Sequence, residues 1–247
     1  MRKLCFKQGS LPDDFLKRGN MAEREIGKAA VGSMLLGMVQ TNCYFVYKED
    51  GRDHSRGVHY DDPTPCVFFD PADRGELIYD ELANRGYKVE AIYLTHAHFD
   101  HFLGVDKLRE LSGAKVYVCE KDKKYCEDPF LNLSAQFVGQ SYTVKPDGYV
   151  HEGDVCEAAG FKFKVFETPG HTEGSCCYYF EDDGIVISGD TLFEGSVGRT
   201  DFPLGSAATL SRSIREKLFT LPEKTIVYPG HNDITTIGYE KKYNSFV

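Results

Sequence analysis

The chain has 247 residues, 41% of them apolar and 27% charged, with no tryptophan and a formal net charge of -9. That length buries one substantial core, and the acidic balance argues against a nucleic-acid partner, whose phosphates demand a concentrated basic surface. No stretch approaches the ~20 apolar residues of a membrane span, so no membrane partner is expected either.

Residues 1–28 are polar with little periodicity and read as an N-terminal extension, within which Met21 offers an alternative translation start. The apolar run at residues 29–39, after Arg24 and Lys28, faintly imitates an export signal. Gly32, Ser33 and Gly37 break it and it begins late, so paired strands at residues 31–38 and 43–47 are expected instead. The polar segment 48–65, which holds His54 and His59, reads as a long hairpin loop, and residues 66–69 as a short buried strand ending at Asp70-Pro71. Leu77, Ile78, Leu82 and Ala83 have helical spacing, which predicts a helix over residues 75–85 that stops at Gly86. A strand at 89–94, a histidine-rich loop, a helix at 105–111 ended by Gly113, and a strand at 115–118 follow. This alternation belongs to a layered α/β architecture.

Residues 120–140 read as irregular helix, forming a lid or one wall of a pocket. Strands are expected at 161–166, 176–180 and 185–188, with Asp182-Asp183-Gly184 turning between the last two. A helix at 207–219, capped near Ser206, carries Leu210, Ile214 and Leu218 on one face, and a final strand occupies 225–228. Eight cysteines without a Cys-x-x-Cys pair, mostly in apolar runs, read as reduced thiols of a cytoplasmic protein. The basic runs at 121–124 and Lys241-Lys242 read as solvated faces.

Three of the eight histidines and a carboxylate fall within the run Thr95-His96-Ala97-His98-Phe99-Asp100-His101, directly after a strand. Imidazole nitrogen and carboxylate oxygen are the ligands preferred by zinc and related first-row metals. Three later strands end in tight turns of similar construction: Thr168-Pro169-Gly170-His171, Gly189-Asp190-Thr191 and Pro229-Gly230-His231. Alone, an aspartate after glycine caps a turn and a single histidine packs in a core. Four strand ends each delivering a potential ligand outweigh that account, because rigid elements are where a metal site is best built. His54, His59 and His151 lack such company and read as loop or surface residues.

Together these residues resemble the metallo-β-lactamase superfamily, from about Val31 to the end of the chain. The resemblance implies an α/β four-layer αβ/βα sandwich over residues 29–247, with two metals at the edge of the paired sheets. It implies that His96, His98 and His171 bind one metal, that Asp100, His101 and His231 bind the other, and that Asp190 bridges them. Asp100 and Asp190 are then the catalytic carboxylates. The cofactors expected are two divalent ions, zinc first, with iron and manganese also suited to the ligand set. Two such ions lower the pKa of a shared water towards neutrality, so that hydroxide attacks an ester-like carbonyl. No serine or cysteine nucleophile is needed, and Cys176 and Cys177 receive no such role.

Gly189-Asp190-Thr191-Leu192-Phe193, followed by Gly198-Arg199-Thr200-Asp201-Phe202, is most similar to the glyoxalase II-like hydrolases, which cleave thioesters such as S-lactoylglutathione. Their substrates are small anionic thioesters. Arg199 stands where that group carries a carboxylate-binding basic residue, a role suited to a guanidinium; a structural pair with Asp201 is the alternative. Tyr239, Lys241 and Lys242 are weaker candidates. Only 16 residues follow His231, which places the resemblance with the short, single-domain branch that lacks a helical C-terminal domain. The runner-up is a persulfide dioxygenase, which shares the scaffold and a similar Gly-Arg-Thr-Asp-Phe segment but uses one iron held by two histidines and an aspartate.

Overall fold

In the strand segment Cys66-Val67-Phe68-Phe69, alternate side chains enter two different cores: Cys66 and Phe68 pack towards helices, Val67 and Phe69 towards a second sheet. A strand buried on both faces reads as an unbroken apolar run, as this one does. The computed structural model describes residues 27–247; the segment 1–26, with Met21, lies outside the described residues.

The first sheet runs in chain order: β1 (Ala29–Leu36), β2 (Thr41–Lys48), β3 (Thr64–Phe69), β4 (Tyr87–Tyr93), β5 (Lys115–Cys119) and β6 (Gly148–Val150). β1 to β3 are antiparallel, and β3 to β6 are parallel. Parallel neighbours need crossovers; α1 (Gly75–Ala83), α2 (Phe99–Phe102) and α3 (Val105–Ser112) lie in them. Ile78, Leu82, Val105 and Leu108 seal the outer face of this sheet.

The segment predicted as irregular helix breaks into a 3-10 turn at Glu120–Asp122, α4 (Lys123–Glu127) and α5 (Ser134–Phe137). The second sheet contains β7 (Val155–Ala158), β8 (Phe161–Glu167), β9 (Cys176–Phe180) and β10 (Ile185–Gly189), then β13 (Ile226–Pro229) and β14 (Thr235–Thr236). Its order is β14-β13-β10-β9-β8-β7. A small hairpin of β11 (Leu192–Phe193) and β12 (Ser196–Val197) follows β10. Leu210 and Ile214 of α6 (Ala207–Glu216) and Ile237 of α7 (Ile237–Tyr243) cover the outer face of the second sheet. Between the sheets lies an aromatic-rich core with Tyr44, Phe69, Tyr93, Phe163, Tyr178 and Phe180. The layers are therefore helix, sheet, sheet, helix, as expected.

Several elements depart from the sequence reading. The helix expected to reach residue 219 ends at Glu216, where Lys217 leaves helical geometry at φ -117° and ψ -61°. Leu218–Thr220 continues as a 3-10 turn, so Leu218 still joins Leu210 and Ile214 in one core. The edge strand β7 escaped notice because three of its four side chains are not buried, so it shows no apolar alternation. His54 is structural: its ring stacks on Tyr87 with centroids 4.1 Å apart, and Nδ1 meets Arg85 O at 2.8 Å. His151 pairs with Glu120 at 3.0 Å on the exposed surface. The seven described cysteines are all unpaired, and burial pushes the Cys177 thiol up to about 11. No helix among the described residues is long and apolar enough to cross a membrane.

Candidate metal centre

The centre is built behind its histidines first. Asp70, at the end of β3, holds the left-handed backbone conformation at φ 51°, which non-glycine residues seldom adopt. Its carboxylate accepts from Thr95 N at 2.8 Å, Thr95 Oγ1 at 2.7 Å and His101 Nδ1 at 3.0 Å. Because the Thr95 hydroxyl donates to Asp70, it can only accept from His96 Nδ1, 3.2 Å away. His171 Nδ1 donates to Arg199 O at 2.6 Å. In His96, His101 and His171 one proton is thus committed to Nδ1, which leaves Nε2 as the atom available to a metal.

Asp122 does the same for the backbone. Fully buried, it accepts from Ala97 N at 2.9 Å, Thr172 Oγ1 at 2.9 Å and Gly174 N at 2.7 Å, tying the first histidine loop to the His171 loop. Burial raises its pKa to about 6. Replacing Asp122 with alanine leaves these buried donors without an acceptor, at about 1–3 kcal/mol each. Asp122→Ala is expected to lower stability by about 3 kcal/mol, read as a lower urea midpoint at unchanged slope; an unchanged midpoint would refute the role. Asp122 hides within the run at 121–124 read as a solvated face. The lysines there are exposed, with Lys121 bonded to Glu167 at 2.5 Å and Lys124 paired with Glu173, while the aspartate between them turns inward.

The seven residues singled out from the sequence converge. Three groups place their ligand atoms within 4.8 Å of one another: His96, His98 and His171; His96, His101 and Asp190; and Asp100, His101 and His231. The middle group joins the outer two. Asp190 Oδ1 lies 3.5 Å from His101 Nε2, while its Oδ2 lies 3.5 Å from His171 Nε2 and 3.6 Å from His231 Nε2. Asp100 Oδ2 is 3.3 Å from His231 Nε2 and accepts from Thr41 Oγ1 at 3.3 Å. His98 turns Nδ1 towards His171 Nε2 at 2.8 Å. Glycines make this approach feasible. A Cβ on Gly230 would lie 2.3 Å from Asp190 Oδ1 and 2.8 Å from His101 Cε1. Gly189, at φ 49°, would press a Cβ to 2.2 Å from Thr95 Oγ1.

The electrostatics divide along the same line. Burial, reinforced by neighbouring imidazoles, drives His96 and His98 well below the usual histidine pKa. Burial also opposes charge on His101, but Asp70, Asp100 and Asp190 outweigh it and hold its pKa well above normal. Burial likewise opposes ionisation of Asp190, yet His231 and His101 pull its carboxyl well below the usual range. His96 Nε2, His101 Nε2 and Asp190 Oδ1 are buried without a hydrogen-bond partner. Buried polar atoms normally find partners, and a cation is the partner that lone pairs of nitrogen and carboxylate oxygen share. The residues fit a metal, and Asp190 lies between two groups able to hold one.

Arg199 sits close by, but its guanidinium is engaged. It makes a bidentate pair with Asp201 at 2.7 and 2.6 Å and lies 4.1 Å from the Phe202 ring centroid. Asp70, Asp122 and the Arg199 carbonyl were not singled out from sequence. Only Asp70 carried a signal, since Asp70-Pro71 repeats the pattern of a buried strand ending in a carboxylate.

A family model described as the metallo-beta-lactamase superfamily matches residues 58–231. The chain is 39% identical over 215 residues to "Probable metallo-hydrolase YqgX" of Bacillus subtilis, covering 87% of this chain and 95% of that one. It is 30% identical over 190 residues to "Hydroxyacylglutathione hydrolase GloC" of Haemophilus influenzae, covering 76% and 90%. Among solved structures, BLEG-1 B3 metallo-beta-lactamase superposes with a TM-score of 0.77 at 38% identity, covering 88% of this chain and 99% of that one. TTHA1623 in a di-iron-bound form gives 0.72 at 33% identity, covering 87% and 100%. ETHE1 from Myxococcus xanthus gives 0.65 at 28% identity, covering 87% and 83%.

Proposed function

The chain belongs to the metallo-beta-lactamase superfamily, and from that premise we propose that it is a binuclear metal-dependent thioester hydrolase of the glyoxalase II type, acting on S-lactoylglutathione or a related thioester. The observation that carries this reading is the assembly of two ligand groups on either side of Asp190. Likeness to a protein named hydroxyacylglutathione hydrolase supports the thioester. Zinc is the proposed metal at both positions, and iron is the second choice, given the di-iron-bound relative.

His96, His98 and His171 would hold one cation, Asp100, His101 and His231 the other, and Asp190 both. When bound, the two cations supply hydroxide at neutral pH and polarise a carbonyl oxygen. The chain's own residues supply order. Asp70 fixes the ring of His101, the Arg199 carbonyl that of His171, and Thr41 the carboxylate of Asp100. These three ligands are therefore oriented before substrate arrives, which spares reorganisation in the transition state. Asp100 and Asp190 would place two carboxylates beside the attacking water, where they would orient it. Buried Cys176 and Cys177, with raised thiol pKa values, take no part.

A mononuclear iron dioxygenase acting on persulfides requires only two histidines and an aspartate, which the first group and Asp190 can supply, and the assembled second group suits the hydrolase. Elemental analysis of purified protein, paired with an S-lactoylglutathione cleavage assay, is expected to give two metals per chain and cleavage. One iron per chain with oxygen uptake on glutathione persulfide would overturn the proposal. Arg199 is proposed to take a substrate carboxylate in exchange for Asp201. Arg199→Ala is then expected to raise KM about tenfold at nearly constant kcat, the mark of lost uniform binding. An unchanged KM would leave Arg199 a structural partner of Asp201.

A further inference from the structure

The mouth of the first histidine group is aromatic. The Phe202 ring lies edge-on to His98 at 5.7 Å and to His171 at 6.5 Å between centroids. Phe137 meets Phe202 edge-on at 6.0 Å and stacks on Phe99 at 6.0 Å. A run of ring contacts therefore leads from the two imidazoles through Phe202 to Phe137, the last residue of α5. The segment is anchored rather than loose. Asn132 accepts from Phe99 N at 2.9 Å through its carbonyl, and its side chain donates to Tyr125 O and Tyr142 O at 3.0 and 2.9 Å.

This surface is left open where folding would gain by closing it. Phe137 is 49% exposed. The cation at this edge, Arg199, is balanced by Asp201. A hydroxyacyl group gains little from such surroundings, whereas an apolar one gains from every ring it covers.

We infer that the substrate is a thioester whose acyl group is apolar, aromatic or branched, and rests on Phe202 and Phe137. The inference rests on the thioesterase reading and narrows it. The acyl group is assigned to this surface rather than the thiol because glutathione is a polar, charged peptide that gains little from apolar rings, and Phe202 packs beside two proposed ligands. Hydrolysis forms a C–O bond with oxygen from water and breaks the C–S bond; the thiolate leaves and is protonated, releasing an apolar carboxylic acid.

The test compares S-benzoylglutathione with S-lactoylglutathione on the metal-loaded protein. A kcat/KM at least about tenfold higher for the benzoyl ester is expected, the scale of discrimination that an apolar pocket provides. Phe137→Ala, at a half-exposed position, is expected to remove that preference, with metal content and far-ultraviolet circular dichroism as the controls for folding. Equal rates for the two esters in the wild type, or equal losses in the variant, overturn the inference. So does a preference that follows the thiol when benzoyl esters of different thiols are compared. If neither ester is cleaved, the thioesterase reading fails by itself. Calorimetric binding of S-phenacylglutathione against S-methylglutathione then decides the subsite. An affinity ratio of about ten that collapses in Phe137→Ala sustains it, and a ratio near one overturns it.

Discussion

Asp190→Ala is expected to cut thioester hydrolysis by at least about a thousandfold, or about 4 kcal/mol in the barrier, with the fold retained. Asp190 Oδ2 lies within 3.6 Å of both His171 and His231, members of the two outer groups, and its other oxygen faces His101. Alanine removes the shared ligand and the negative charge that keeps several imidazoles oriented in one small volume. Metal content should fall from two per chain to one or fewer, while the far-ultraviolet circular dichroism stays that of the wild type. Full turnover in the variant, or two metals retained, would refute the bridging role.

Removal of metal by a chelator is expected to abolish activity and also to destabilise the fold. A ligand present at about a thousand times its dissociation constant contributes about 4 kcal/mol, which for a chain of this size is a fall of about 10 °C in Tm. The structural reason lies in His96 Nε2, His101 Nε2 and Asp190 Oδ1, which are buried with no hydrogen-bond partner of their own. Affinity should weaken as pH falls. Burial opposes protonation of His101 and His231, but the carboxylates around them outweigh it and raise both pKa values above the usual imidazole range. A proton must therefore leave each ring before metal binds, and lower pH favours that proton. Calorimetry with and without chelator checks both points; identical Tm values would contradict the site.

The ligand set could be read in advance because its chemistry is local. His96, His98, Asp100 and His101 occupy one loop, and His171, Asp190 and His231 each follow an apolar strand and a glycine. The layered α/β alternation was similarly open to reading, while the four layers were implied by the family resemblance. Strands such as Cys176–Phe180, apolar at every position, agree with them because they must be covered on both faces. The short edge strands were not, because β7 has too few buried residues to set a period.

The sequence by itself determined the chemistry at the strand ends and the layered architecture, because residue type and short-range spacing carry both. The tertiary structure alone decided how that chemistry is held and what lies beside it. Asp122 reaches Ala97, 25 residues away, and Thr172, 50 residues away. Phe137 meets Phe202, and the Arg199 carbonyl orients His171, across the boundary between separate loops. Such partners are set by which strand ends the two sheets bring to one edge. A hydrogen bond or ring contact between residues distant in the chain leaves no period or spacing in the sequence, so only the packed sheets show it.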